Sequence, residues 1–360
     1  MKEKFEALDG LRGLAALSVV LLHRRAWFGG DTFFGHSHLA VDFFFMLSGF
    51  VIAHAYGGRA GEKGSFLPFV KDRVIRLHPM ILLGSALGLI VLLGAIHSGT
   101  MERPPHAVFT YLFGFIPLPA TWAAHPFLVD PPTWSIFWEL IANFLFALVA
   151  ARLTNRLIAV IIILSAIPLL YACLMVPGLF AVGAENENLW YGLPRVLFSF
   201  FIGVALLRFY HEDRLPWLRM KWSGVLLLIA SFTWLPPKSS AAAWFDPLVI
   251  SLLYPAIILS TARWQPTVTW PAQLSGALSY PLYILHEPVL KLISAMLIVT
   301  QIYTAGDPGP IQGAARIFAT ILIAWVCLKL YDEPVRRWLR SRFGSRPDTP
   351  IAHETRKLLS

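Results

Sequence analysis

The sequence predicts an all-α integral membrane protein, a bundle of about ten transmembrane helices with both termini in the cytoplasm. Hydrophobic residues make up 56% of the chain and charged residues only 14%. The mean hydropathy of +0.62 is far above that of a soluble domain. Apolar segments of about 20 residues, each long enough to cross a hydrocarbon core of about 30 Å, recur along the chain. Lys and Arg concentrate in alternate connections, as they do in cytoplasmic loops.

Each predicted span is a long apolar window bounded by polar, glycine or proline residues. The stretch HAVFTYLFGFIPLPAT, residues 106–121, is also apolar, but it is short and is interrupted by Pro117 and Pro119. We therefore predict a re-entrant or interfacial segment there and not a crossing. The ten spans are predicted, in order, at residues 10–28, 38–57, 79–98, 133–152, 156–176, 190–209, 222–236, 244–262, 278–300 and 312–331.

The basic residues indicate the orientation of these spans. With a cytoplasmic N-terminus, the inside connections contain most of the Lys and Arg residues, notably in the loop 58–78 and in the segment from Lys329 onward. The net charge of +9 is then explained by membrane topology, and we expect no nucleic-acid partner. The basic residues of the outside connections are Arg24, Arg25, Arg103 and Lys238.

The chain reads as one membrane domain, residues 1–340, followed by a polar tail, residues 341–360, predicted to be disordered in the cytoplasm. The segment YDEPVRRWLRSRFGSRPDTP mixes arginine with aromatic residues, which is typical of segments that rest on anionic lipid headgroups. Cys173 and Cys327 fall inside predicted spans and suggest neither a disulfide nor a zinc site. We therefore expect inert thiols, no bound metal and no bound cofactor.

Two costly polar residues share the first span, LDGLRGLAALSVVLLHRR. Arg12 and His23 are separated by about three helical turns, so they lie on nearly the same face, about 16 Å apart along the axis. Each has an ordinary explanation, because an arginine near a helix end can extend to the headgroups and a histidine can bond to a neighbouring helix. Ionisable residues inside a membrane are usually retained for pairing or function. Their shared face therefore predicts a polar lining inside the bundle.

Two carboxylates enter the bundle from the outside and have a similar predicted depth to His23. Asp42 begins the second span, HLAVDFFFMLSGFVIAHAY, and Glu139 lies in the first turns of PPTWSIFWELIANF. Either carboxylate could hydrogen-bond His23, fix its tautomer and favour its protonated form. The alternative for both is a carboxylate that is favourable at a helix N-terminus. The sequence leaves the two interpretations open.

An arginine pair ends the first cytoplasmic loop, in FVKDRVIRLHPMIL. Arg73 and Arg76 are three positions apart and so share a helical face at the inner surface. Planar guanidinium groups suit phosphates, so the pair could hold a phosphorylated cytosolic ligand. The alternative is the ordinary basic flank of a membrane span.

The segment LSYPLYILHEPVL places several polar residues in the ninth span. Ser279, Tyr283 and His286 recur at helical spacing, and Glu287 can pair with Lys291 at positions i and i+4. The ion pair alone could serve only to neutralise two buried charges. We interpret Ser279, Tyr283 and His286 as residues that contact the acceptor or support the residues that do.

In their order along the chain, these motifs resemble acyltransferase family 3, the membrane O-acyltransferases of O-antigen, exopolysaccharide, nodulation factors and macrolides. The resemblance covers residues 8 to about 340. It implies a ten-helix bundle in the cell inner (plasma) membrane that moves an acyl group, usually acetyl, from cytosolic acyl-CoA to a hydroxyl of a polysaccharide or glycolipid sugar. The segments that carry the resemblance are the Arg12 and His23 helix, VDFFFMLSGFVIA, the Arg73 and Arg76 pair before Pro79, TWSIFWE, SYPLYILHEP and YDEPVRRWLR.

The resemblance also implies roles for individual residues. Hydroxyl attack on a thioester needs a general base with a pKa near neutrality and a group that stabilises the developing oxyanion. His23 is the predicted base, and Asp42 or Glu139 would orient it, as a carboxylate does in a catalytic triad. The sequence departs from the family in having one glutamate in TWSIFWE where many members have two. The residues implied in acyl-CoA binding are Arg12, Arg73 and Arg76.

Two other classes of protein remain as alternatives. A proton-coupled transporter would also place Arg, His and Glu along a helix-lined pathway, although the sequence contains no inverted repeat or paired broken helices that would indicate one. A membrane sensor or scaffold would not need such an aligned polar set. Acyl transfer from acetyl-CoA is the activity that distinguishes the enzyme from both.

Overall fold

The computed structural model describes residues 4–30, 34–56, 66–175, 182–233, 244–300 and 308–344, and these ranges contain helices and loops but no strand. Ten of the helices, all except α4 and α12, correspond to the ten predicted spans. The helices are α1 Glu6–His23, α2 Ala40–Tyr56, α3 Phe66–His97, α4 Ala107–Phe115, α5 Thr133–Val149, α6 Asn155–Met175, α7 Gly192–His211, α8 Trp222–Thr233, α9 Phe245–Ala262, α10 Trp270–Val299, α11 Gly309–Cys327 and α12 Glu333–Phe343.

Eight helical segments of the described residues are long and apolar enough to cross a membrane. The first helix is absent from this set because its 18 residues include Glu6, Asp9 and Arg12. Helix α8 is absent because its described part has only 12 residues, and the rest of the span predicted at 222–236 lies outside the described residues. The prediction of an all-α, multi-pass membrane protein is confirmed. The cytoplasmic location of both termini stays a prediction.

Two helices are longer than the apolar windows indicated. Helix α3 begins at Phe66 and contains Pro79, and α10 begins at Trp270 and contains Pro281 and Pro288. A hydropathy window detects only the apolar part of a helix, whereas the helix itself can continue into the polar boundary of the membrane. As a consequence, Arg73 and Arg76 lie on α3 and not in a loop.

The segment predicted at 106–121 is confirmed as too short to cross. Helix α4 has nine residues, which span only about 14 Å. The chain then returns as an irregular loop, and the indole Nε1 of Trp122 donates a hydrogen bond to the Thr110 hydroxyl at 2.9 Å.

Small residues allow two pairs of helices to pack at close backbone distance. A Cβ atom added to Gly13 of α1 would lie 1.8 Å from Ser275 Oγ of α10. Between α2 and α7, a Cβ at Gly49 would lie 1.9 Å from the Phe200 carbonyl oxygen, and one at Gly203 would lie 1.9 Å from that of Met46. Only glycine fits such contacts, and small residues are the usual means of close helix packing in membranes. The α1–α10 contact sets the two helices that carry most of the candidate site side by side.

The C-terminal helices continue the bundle. Helix α11 passes through a π-helical turn, Leu328–Asp332, into α12, which carries the basic residues Arg336, Arg337, Arg340 and Arg342. The first three residues of the segment predicted as a tail are therefore helical, and residues 345–360 lie outside the described residues. Cys327 is a free, half-buried thiol, and the side chain of Cys173 lies outside the described part of the chain.

Candidate active site

Helices α1, α2, α3, α5 and α10 surround a cavity of about 100 Å³ inside the bundle. We call it the arginine cavity, because three of its four charged lining residues are arginines. It brings together residues from distant parts of the sequence, including all three residues predicted to bind acyl-CoA. Its charged and hydroxyl-bearing lining residues are Arg12, Ser48, Arg73, Arg76, Ser135, Glu139, Ser279, Tyr280 and Tyr283.

Arg73 and Arg76 reach this cavity from one face of α3. Arg73 is only 9% exposed, and its guanidinium lies over the rings of Tyr56 and Phe69, at 5.1 and 5.6 Å from the ring centroids. Arg76 is half-buried and interacts electrostatically with Arg73. The two arginines are thus packed against neighbouring side chains. The basic residues that ordinarily flank a membrane span are, by contrast, exposed to the headgroups and solvent.

The charges of the cavity do not balance. Arg12 and Arg76 repel each other, and Glu139 is the one carboxylate among the described residues that line the cavity. Arg12 also contacts Asp9 at 3.4 Å, but Asp9 is itself partly exposed. Glu139 accepts a hydrogen bond of 2.6 Å from the Ser48 hydroxyl. A cavity with an excess of positive charge in low-dielectric surroundings attracts anions.

His23 lies outside this cavity, next to a different carboxylate from the two predicted. Its Nδ1 is 3.7 Å from Oε1 of Glu287 on α10, and its ring centroid is 5.3 Å from that of His286. Glu287 also contacts Arg24 and Lys291, each at 3.2 Å, which confirms the predicted Glu287–Lys291 pair. The imidazole of His23 is 45% exposed and is therefore accessible to a substrate.

The prediction that Glu139 contacts His23 is wrong, and so is the same prediction for Asp42. Glu139 lies in the arginine cavity, whose lining residues do not include His23. Asp42 is fully buried and forms an ion pair with Arg195 of α7, with 2.7 Å between Oδ2 and Nη2. Asp42 also accepts a hydrogen bond of 3.1 Å from the Ser199 hydroxyl. The structure therefore gives Asp42 a packing role, and the catalytic roles of both carboxylates stay untested.

His286 is fully buried beside His23. Its Nδ1 donates a hydrogen bond of 2.7 Å to the Tyr283 carbonyl, so the neutral ring carries its lone pair on Nε2. That Nε2 has no hydrogen-bond partner among the described residues. A buried acceptor without a partner is uncommon in folded proteins, so this nitrogen is a candidate site residue.

One face of α10 joins the arginine cavity to His23. Ser279 and Tyr283 line the cavity, and the Tyr283 ring lies 6.1 Å from the His286 ring, which in turn adjoins His23. The Tyr283 hydroxyl is 2.7 Å from the Ser135 hydroxyl. The helical spacing noticed in the sequence thus corresponds to a continuous polar row between the two groups of charged residues.

Asp130, in the loop before α5, is a buried carboxyl group that sequence reasoning missed. It is 1% exposed, and neither of its oxygens has a hydrogen-bond partner among the described residues. Burial, reinforced by the nearby Glu287 carboxylate, raises the pKa of Asp130 well above its ordinary value, and Lys291 opposes this only in part. A valine precedes Asp130 and two prolines follow it, so it belongs to no helical pattern of polar residues that could have identified it.

We expect Asp130→Asn to stabilise the protein at neutral pH. Because the folded-state pKa is raised, the folded protein keeps a proton that the unfolded chain releases above the ordinary aspartate pKa of 3.8. Wild-type stability should therefore fall as pH rises above about 3.8 toward the raised folded-state pKa, by up to about 1.4 kcal/mol per pH unit, and the variant should lack this loss. Thermal unfolding in detergent across this pH range measures the difference. The exposed Glu102→Gln is the control, and equal pH slopes in wild type and Asp130→Asn would contradict the prediction.

The fold and the site together define a multi-pass membrane protein with an arginine-lined cavity and a histidine–carboxylate pair linked through one helix. The chain belongs to acyltransferase family 3: the acyltransferase domain of that family matches residues 5–329. Its membership supports acyl transfer as the reaction.

Two curated relatives are similar to the chain. Protein 2 in the picA locus of Rhizobium radiobacter is 38% identical over 187 residues, which cover 47% of this chain and 95% of that protein. The putative peptidoglycan O-acetyltransferase YrhL of Bacillus subtilis is 24% identical over 368 aligned positions, which cover 91% of this chain but only 54% of that protein. No solved structure matches the chain significantly.

Proposed function

We propose that this protein is an O-acyltransferase of the cell inner membrane. It transfers an acyl group, most simply acetyl, from cytosolic acyl-CoA to a hydroxyl of a cell-surface polysaccharide or glycolipid sugar. It uses acyl-CoA as a co-substrate and has no bound organic cofactor. The observation that carries the proposal is the polar row on α10, which connects an arginine cavity suited to an anionic donor with an accessible histidine beside Glu287.

The arginine cavity binds the donor. CoA carries several phosphate groups, and arginine forms charge-assisted, often bidentate hydrogen bonds with phosphate. Arg73 and Arg76 lie nearest the end of α3 that is predicted to be cytoplasmic, whereas Arg12 enters the same cavity from α1. A bound phosphate also relieves the mutual repulsion of these arginines. The cavity is small, so the phosphates occupy its mouth.

The reaction takes place at His23. The acceptor hydroxyl attacks the thioester carbonyl carbon while His23 removes the hydroxyl proton, so that a carbon–oxygen bond forms and the carbon–sulfur bond breaks. The CoA thiolate leaves and takes up a proton. Glu287 stabilises the imidazolium of His23 across their 3.7 Å contact, and the buried His286, whose ring centroid lies 5.3 Å away, supports the His23 ring. Glu287 thus replaces the carboxylates named from sequence.

The acceptor is a carbohydrate at the outer side of the membrane. Two observations support this part of the proposal: the exposed imidazole of His23 at the end of α1, and the similarity to a protein named as a putative peptidoglycan O-acetyltransferase. The family resemblance adds the sugar hydroxyl as the usual acceptor. The helix bundle is embedded in membrane lipids. The basic helix α12 lies at the predicted cytoplasmic surface.

Purified protein incubated with acetyl-CoA labelled in the acetyl group tests the proposal. We expect release or transfer of the label, and we expect Arg76→Ala to raise the Michaelis constant for acetyl-CoA at least about tenfold, or about 1.4 kcal/mol, because a phosphate contact is lost. Arg76→Lys should recover only part of the affinity, because lysine lacks the planar fork.

The exposed Arg156→Ala, on α6, is the matched control for lost positive charge and should leave the Michaelis constant unchanged. An active Arg76→Ala enzyme with the wild-type Michaelis constant would remove the phosphate role of the cavity. Wild-type protein that neither hydrolyses acetyl-CoA nor transfers its acetyl group would overturn the donor assignment and would favour the transporter alternative.

A further inference from the structure

Two histidines and an aspartate form a compact cluster at another place in the fold. His36 and His38 immediately precede α2, and Asp246 is the second residue of α9. His36 Nδ1 lies 2.9 Å from Oδ1 of Asp246, and His38 Nε2 lies 2.8 Å from Oδ2. One ligand atom from each residue falls within 4.8 Å of the others. None of the three residues lines the arginine cavity.

The tautomer of His38 makes this cluster unusual. Its other ring nitrogen, Nδ1, faces the Gly35 carbonyl oxygen at 3.4 Å, a long contact that favours the tautomer with the proton on Nδ1. A neutral ring then presents the Nε2 lone pair to an Asp246 oxygen, and two acceptors face each other. A metal ion between the two atoms would make both of them ligands and remove this conflict. A backbone carbonyl on the outer nitrogen is also the usual partner that orients a metal-ligating histidine.

The ligand types and spacing fit a divalent transition metal. Imidazole nitrogen together with a carboxylate oxygen is a common ligand set for zinc, whereas calcium and magnesium prefer oxygen alone. Zinc binds these atoms at about 2.0–2.2 Å, so two ligands of a tetrahedral site are roughly 3.3 Å apart. The separations of 2.8 and 2.9 Å require only small side-chain shifts to reach this value.

The three side chains of the cluster are largely buried but keep some exposure to solvent. Those of His36, His38 and Asp246 are 16%, 18% and 8% exposed. The ring of His36 is held by an edge contact with Phe245 at 4.7 Å between centroids, so the ligands are held in position before an ion arrives. The remaining exposure leaves a path for an ion and a place for a water ligand.

We propose that His36, His38 and Asp246 bind one divalent transition-metal ion of the zinc type, with water completing its coordination. The ion joins the segment that begins α2 to the start of α9. The His38 carbonyl accepts a hydrogen bond of 3.0 Å from Arg195, so the site adjoins the buried Asp42–Arg195 pair and secures the same end of α2. This proposal departs from the expectation, drawn from the two cysteines, that the protein binds no metal.

Metal binding to the full-length protein in detergent tests the proposal directly. The protein is purified with a tag that contains no histidine, stripped with a chelator and titrated with Co²⁺, whose visible absorption reports nitrogen and oxygen ligands at low coordination number. We expect about one equivalent of Co²⁺ per chain, displaced by Zn²⁺, and at least a tenfold weaker affinity in His38→Ala and in Asp246→Asn. The exposed His97→Ala is the matched control and should bind as wild type does.

A second measurement uses only the wild-type protein, so it does not require that the variants fold. Zn²⁺ should raise the thermal unfolding midpoint of the stripped wild-type protein, because an ion that binds only the folded state stabilises it. Wild-type protein that binds no Co²⁺ and shows no thermal shift with Zn²⁺ would overturn the proposal. Equal Co²⁺ affinity in wild type and in a folded His36→Ala, His38→Ala double variant would also overturn it.

Discussion

His23→Ala should lose acyl transfer almost completely, with the turnover number reduced by about 10²–10⁴, the usual cost of removing a general base. The imidazole stands at the end of the α10 polar row, next to Glu287 and His286. Acetyl-CoA binding should persist, because the proposed phosphate contacts lie about three helical turns away. Turnover and the dissociation constant of acetyl-CoA, measured on the same preparation, separate the two effects.

The companion variant Glu287→Gln tests whether the carboxylate beside His23 acts through it. It keeps the volume of the side chain but removes the charge that favours the imidazolium, so turnover should fall by roughly tenfold or more with little change in acetyl-CoA affinity. His97→Ala, an exposed histidine at the end of α3, is the matched control and should be fully active. A His23→Ala enzyme with near-normal turnover would leave only a structural role for this histidine.

The cost of polar residues in a membrane explains which residues the sequence could identify. Arg12, His23 and Glu139 stand out because each interrupts an apolar span, and such residues are seldom without a partner or a function. The convergence of Arg12 and Glu139 on one cavity fulfils that general expectation. Fold class follows from the same physics, since only a helix satisfies its own backbone in lipid when no barrel pattern is present.

The pairing of these residues could not be predicted, because sequence gives the depth of a residue but not the rotation or the neighbours of its helix. Asp42 and His23 have similar predicted depths, yet Asp42 faces α7 and pairs with Arg195, which is 153 positions further along the chain. Arg195 is also a charge inside a predicted span, and such a charge needs a partner. The sequence does not indicate which carboxylate that partner is.

Glu287 shows a second limit of sequence reasoning. Its spacing to Lys291 correctly indicated an ion pair within the helix. A carboxylate, however, has two oxygens and can accept several contacts. Its Oε2 faces Lys291, and its Oε1 remains for Arg24 and His23. The i, i+4 spacing therefore predicts the contact of one carboxylate oxygen but gives no information about the contacts that the other oxygen makes with α1 and the residue after it.

Asp42→Ala should destabilise the folded protein by about 3–5 kcal/mol, because it leaves a buried guanidinium without its counter-charge. The side chains of Arg195 and Asp42 are 1% and 0% exposed. Arg195 also donates hydrogen bonds to the carbonyl oxygens of Val182 and His38, at 2.9 and 3.0 Å. The pair thus ties α2 and α7 to two connecting segments. The fraction of detergent-solubilised protein that stays monodisperse on heating measures the loss.

A double variant separates lost charge from lost packing. Asp42→Leu with Arg195→Met removes both charges, and the replacement of a buried ion pair by apolar residues of similar volume is often close to neutral. The double variant should therefore be more stable than Asp42→Ala, with a residual cost for the carbonyls that Arg195 satisfied. Glu212→Ala, which breaks an exposed contact with Arg214, is the control and should change stability by less than about 1 kcal/mol. If Asp42→Ala unfolds at the wild-type temperature but transfers no acyl group, Asp42 is catalytic after all, and the structural role argued from its pairing with Arg195 is wrong.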